Sequence, residues 1–166
     1  MVNSKSKGKR GENEAGKLLE QWWGGHFCRT PDSGAFMTTH TKSILESGND
    51  ISGDLICPED FPFCVEVKRR KVIDLFKCIR SYNDADDDHL ASWWAQTVRD
   101  AKRTEKVPLL MFKEDRKQWY ICLTTDFVKV LKPASKNYLT YDNFSIIMIT
   151  DLTLFCKDDI IQLCSK

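Results

Sequence analysis

At 166 residues, 42% of them hydrophobic and with a formal net charge of +1, the chain is long enough to bury one core and short for two. No apolar run reaches the roughly 18 residues of a membrane span, and the polar, basic start MVNSKSKGKR lacks the apolar stretch of a secretory signal. The expectation is one cytoplasmic domain over residues 1–166, with no membrane partner. The seven cysteines, Cys28, Cys57, Cys64, Cys78, Cys122, Cys156 and Cys164, are odd in number and form no C-x-x-C pair. This pattern suits a reducing compartment and buried thiols better than a disulfide framework. His26 with Cys28 is the nearest approach to zinc-ligand spacing, and it lacks the other ligands.

The first ten residues carry Lys5, Lys7, Lys9 and Arg10 and read as a flexible basic arm. Residues 11–23 then place Ala15, Leu18, Leu19, Trp22 and Trp23 at amphipathic-helix spacing, ended by Gly24-Gly25. Residues 26–29 suit a short strand, and the stretch 30–52, rich in Thr, Ser, Gly and Asp, reads as a long polar loop. Residues 53–57 (GDLIC) and 63–69 (FCVEVKR) are expected to form a hairpin around the turn 58–62. A second amphipathic pattern runs Leu90, Trp93, Trp94, Thr97, Val98, Ala101, with Asp88 or a neighbour as its N-cap. The acidic run Asp84, Asp86, Asp87, Asp88 ahead of it reads as a solvated loop, and the Trp22-Trp23 and Trp93-Trp94 pairs as core. Strands over 107–112 and 118–123, a short helix near 126–132, a strand over 144–149 and a helix within 154–164 complete the pattern. This order predicts an α/β (α+β) domain with a central mixed β-sheet flanked by helices.

Chemistry concentrates at residues 54–68. Strand periodicity puts Phe63, Val65 and Val67 on one face and Cys64, Glu66 and Lys68 on the other. A hairpin would bring the Asp54 carboxylate beside Glu66, and two adjacent carboxylates repel unless a cation lies between them. Mg²⁺, which binds through one or two carboxylates, waters and phosphate oxygens, suits that arrangement. Lys68 would then position or activate a water and neutralise charge developing on a phosphate. Basic runs at Lys68, Arg69, Arg70 and Lys71 and at Arg99, Lys102, Arg103 and Lys106, with the N-terminal one, are candidates for phosphate contact.

The D-x(11)-E-x-K spacing, SGDLICPEDFPFCVEVK, resembles the PD-(D/E)XK nuclease superfamily, with Gly53 where that family often has proline. The resemblance implies a restriction-endonuclease-like core. KGKRGENE at 7–14 and RTPDSGA at 29–35 are similar to segments of archaeal and phage Holliday-junction resolvases, over roughly residues 5–125. It implies Glu12 as an additional metal-site acid beside Asp54 and Glu66. Its rival Glu14 lies about 100° from the centre of the apolar helix stripe, against about 60° for Glu12. Ser33 would lie by the active site on the DNA backbone, and Gln96 near the metal, although Gln96 falls roughly 140° from its own helix's stripe. Lys7, Lys9, Arg10, Arg29, Arg69, Arg70 and Lys71 would contact DNA. The implied protein is a homodimeric, Mg²⁺-dependent enzyme, with Mn²⁺ as substitute, cutting branched DNA, including one encoded by a phage and working in its host. A restriction-like or repair endonuclease on duplex, flap or single-stranded ends, and a nuclease-fold DNA-binding module without catalysis, are the alternatives.

Overall fold

A computed structural model of the chain describes residues 4–31, 48–77 and 88–165. The first helix, α1, spans Ser4–Trp23 and so begins seven residues earlier than the expected 11. Residues 4–10 are therefore helix and not a flexible arm. Tertiary contact supplies the reason. Lys7 reaches Asp115 at 2.5 Å, and Gly11 brings the helix so close to the sheet that an added Cβ would stand 3.0 Å from the Arg69 Cβ.

Next come β1 (Cys28–Arg29), β2 (Asn49–Ser52), β3 (Leu55–Pro58) and β4 (Phe63–Arg70). β3 does not form a hairpin with β4, as expected from the sequence. It lies between β1 and β2 in a small antiparallel sheet, so residues 49–52 belong to a strand and not to the polar loop. The rest of that stretch, 32–47, lies outside the described residues, as do Ser33, Cys78 and Asp84, Asp86 and Asp87.

The main sheet has the order β4-β5-β6-β8-β7, with β5 at Val107–Glu114, β6 at Tyr120–Thr124, β7 at Leu139–Tyr141 and β8 at Phe144–Met148. β4 and β5 are parallel and the remaining pairs antiparallel, which makes the sheet mixed. The parallel pair is joined through α2, Leu90–Thr104, whose N-cap is His89. Asp88 is used otherwise, accepting from Arg70 and from the Trp93 indole. Short helices α3 (Thr125–Leu131), α4 (Ile149–Thr153) and α5 (Lys157–Cys164) follow.

Strand alternation divides the interior in two. Phe63, Val65, Val67, Leu109, Met111 and Ile121 join Ala15, Leu19 and Trp23 of α1 in the larger cluster. Leu110, Phe112 and Cys122 point the other way and pack under Leu90, Trp93 and Trp94 of α2. The Trp pairs are thus packing residues, with Trp22 half-buried and hydrogen-bonded to the Phe155 carbonyl. The six described cysteines are free. No helix among the described residues is long and apolar enough to cross a membrane.

Candidate active site

β4 is the outermost strand of the main sheet on this side, so its outward N–H and C=O groups need partners. The turn between β2 and β3 provides them. Asp54 N–H donates to the Val65 carbonyl at 2.8 Å, and the Val67 N–H donates to Asp54 Oδ2, also at 2.8 Å. One aspartate thus bridges the two backbone groups that flank Glu66. The turn is held from its far side as well: Thr30 N–H donates to the Asp54 carbonyl, and the Thr30 hydroxyl to the Gly53 carbonyl.

Gly53 makes this approach possible. Its φ is +76°, and a Cβ there would sit 2.2 Å from the Val65 carbonyl oxygen. No side chain fits against that backbone. The departure from the proline of the family pattern therefore has a local cause in the left-handed, tightly apposed turn.

Glu66 is 4% exposed, and its Oε1 accepts from Lys68 Nζ at 2.5 Å. Gln96 Oε1 lies 3.4 Å from the same ammonium. Its unfavourable angle on the helical wheel is explained by where β4 sits: the stripe of α2 covers β5 and β6, and the flank of the helix faces the edge strand. Burial and the neighbouring Asp54 push the Glu66 carboxyl up to about 7, against the opposing pull of Lys68. Burial likewise raises Asp54, opposed by the Val67 N–H and by Lys68.

Glu12 and Glu14 take different partners. Glu12 Oε2 is 2.5 Å from Arg29 Nε, and Arg29 in turn helps to hold Asp54 ionised. Glu14 is drawn to Arg69 at 3.0 Å and Lys113 at 2.6 Å. Among the described residues, no three His, Cys, Asp or Glu side chains are grouped so as to hold one ion. Glu12 is therefore not gathered with Asp54 and Glu66 into a ready-made three-acid cage. The Asp54–Glu66 pair nonetheless fits a hard divalent cation, because it offers carboxylate oxygens whose mutual repulsion such an ion relieves.

The basic candidates are largely engaged by acids. Lys7 and Arg69 share Asp115, and Arg70 pairs with Asp88 at 2.7 Å. Lys9 and Arg10 are exposed on α1, and Lys71 is exposed beyond β4.

The family described as "Phage putative PDDEXK endonuclease" matches residues 3–162. The chain belongs to this family. The match spans α1 and both sheets and reaches into α5, so PDDEXK membership covers the whole arrangement around Asp54, Glu66 and Lys68. Protein D14 of Escherichia phage T5 is 28% identical over 155 residues, which cover 91% of this chain and 89% of that protein. No solved structure matches. PDDEXK nucleases usually use divalent metals, in keeping with the donor set of this site.

Sequence reasoning missed two contributors. Thr30, at the start of the expected polar loop, anchors the turn that carries Asp54. Asp100 stands among the basic residues of α2, and its charge acts on both Asp54 and Glu66. Its spacing of four from Gln96 was the available signal.

Proposed function

We propose that this PDDEXK protein is a Mg²⁺-dependent, structure-selective DNA endonuclease that resolves four-way junctions as a homodimer, with residues 1–166 forming one nuclease domain. The observation that carries the catalytic reading is the pinning of Asp54 across Val65 and Val67, which sets a second carboxylate beside Glu66 and Lys68. Asp54 and Glu66 hold the cation, with Glu12 contributing through water. When bound, the cation supplies Lewis-acid polarisation of the scissile phosphate.

Lys68 is anchored between Glu66 and Gln96. Its ammonium orients the attacking water and offsets charge building on the phosphate oxygens. Gln96 restricts that ammonium. Ser33 keeps the DNA-backbone role implied by the resolvase-like segment. Lys7, Lys9, Arg10, Arg29, Arg69, Arg70 and Lys71 contact phosphates, and where a carboxylate closes one of them, as at Lys7, Arg29, Arg69 and Arg70, phosphate displaces that partner. The phage relative supports a phage-encoded protein at work in a host cell. Junction choice and the dimer rest on the resemblance to resolvases.

The test is cleavage of a four-way junction and of linear duplex of the same sequence in Mg²⁺, with Asp54→Asn as control. The expected result is preferential, symmetric junction cutting that the substitution reduces by roughly two orders of magnitude or more. Equal cutting of the two substrates rejects the resolvase reading and leaves a restriction-like or repair enzyme. Undiminished cutting by Asp54→Asn rejects the site itself.

A further inference from the structure

We infer that Asp100, on α2, is a positioning residue of this nuclease site, which strengthens the hold of Asp54 and Glu66 on the divalent cation without itself binding it. The inference rests on the reading of those two carboxylates as the cation's ligands.

The alignment of α2 on β4 puts Asp100 there. At one end Gln96 meets Lys68; at the other, α2 stops at Thr104 and the chain turns into Val107 and Pro108, which pair with Phe63 and Cys64. A two-residue strand step covers about 6.6 Å, and a four-residue helix step about 6.0 Å. The two repeats stay nearly in phase, so Lys68, Glu66 and Cys64 oppose Gln96, Asp100 and Thr104 in turn. Asp100 is the residue of that flank facing Glu66.

Its identity has no local explanation. The helix dipole acts on the last turn, which carries Lys102 and Arg103, and gives no reason for an acid at Asp100 before it. The stripe that packs α2 on the sheet consists of Leu90, Trp93, Trp94, Thr97 and Ala101 and does not require Asp100. Its ion pair with Arg103, at 3.2 Å, involves a side chain 75% exposed, and pairs of that kind contribute little. A carboxylate at this point makes sense as part of the field that receives a cation.

Asp100 acts through solvent and field. Among the described residues no third acid groups with Asp54 and Glu66 closely enough to share an ion. Partners that hydrogen-bond a metal's direct ligands change its affinity by about 10–100-fold, and a carboxylate acting through the field belongs at the lower end of that range.

The experiment is calorimetric titration of Mn²⁺ into the DNA-free protein, comparing wild type, Asp54→Asn, Asp100→Asn and Asp100→Glu, with thermal unfolding of each without metal. The expected result is binding by wild type, its loss in Asp54→Asn, roughly tenfold weaker binding in Asp100→Asn and recovery of most of it in Asp100→Glu. Metal-free unfolding of Asp100→Asn should match or exceed wild type, since a like charge has been removed. Wild-type affinity in Asp100→Asn, with binding lost in Asp54→Asn, overturns this inference alone. Equal weakening in Asp100→Glu also overturns it, because the carboxylate then has no special part. Absence of Mn²⁺ binding by wild type, or full binding by Asp54→Asn, overturns the metal site and this inference with it.

Discussion

The two faces of β4 do opposite work with alternate residues of one strand. Phe63, Val65 and Val67 enter the larger apolar cluster, where α1 seals them from water. Cys64, Glu66 and Lys68 face α2, where the helix flank is polar and the buried Glu66 keeps its raised carboxyl. The first face pulls the chain together by removing apolar area from water. The second sets the buried Glu66 between the like charge of Asp54 and the opposite charge of Lys68, and the burial and repulsion that raise its carboxyl cost stability. The contrast teaches that a buried, repelled carboxylate is tolerated here because the same strand is secured by its other side.

Substitution on each face should separate those roles. Phe63 is fully buried, and Phe63→Ala is expected to lower unfolding free energy by about 3–5 kcal/mol in denaturant titrations. Glu66→Gln should do the reverse: cleavage falls by roughly two orders of magnitude, while the metal-free protein unfolds at the same or a higher temperature. A Glu66→Gln variant as destabilised as Phe63→Ala would show that the division between the faces is false.

The joint between the two sheets gives a smaller effect. Gly53→Ala must relieve a contact with the backbone at Val65 and adopt a left-handed φ, which by itself costs about 1–2 kcal/mol. Because Asp54 is the next residue, cleavage should fall further than that modest loss of stability accounts for. Comparing activity with unfolding in the same preparation checks this, and an active Gly53→Ala protein would contradict the pinned turn.

The smallest effect is in pH. The Glu66 carboxyl is raised to about 7 in the folded protein, so the folded state holds a proton that the unfolded chain has released. Between the ordinary carboxyl range and about 7, metal-free stability from this group therefore falls as pH rises. Asp54, also raised, acts in the same direction. Metal needs the ionised carboxylates, so the thermal shift produced by Mg²⁺ should be larger at pH 8 than at pH 6. A shift independent of pH would remove Glu66 from the cation's surroundings.

The alternation of β4 was legible because a buried strand has a fixed period of two, and α2 because its stripe repeats through Trp93, Trp94, Thr97 and Ala101. The position of Asp54 was reached by the wrong route. A hairpin of residues 53–57 with 63–69 was expected, whereas β3 pairs elsewhere and Asp54 meets β4 through a turn. Tight backbone apposition at a glycine leaves no periodic trace. β2 (NDIS), with one apolar residue, and β7 (LTY), only three residues long, leave no periodic trace for a related reason. The early start of α1 depends on Asp115, more than a hundred residues away, which no local propensity registers.

The chain Lys7–Asp115–Arg69–Glu14–Lys113 also bears on how salt enters the energetics of DNA binding. A cation already closed by a carboxylate gains a phosphate only by giving up that partner, so the step is an exchange. Its contribution to the slope of affinity against ionic strength is correspondingly smaller than that of an open lysine. If these residues meet DNA as proposed, their number overstates the counterions that DNA would shed there.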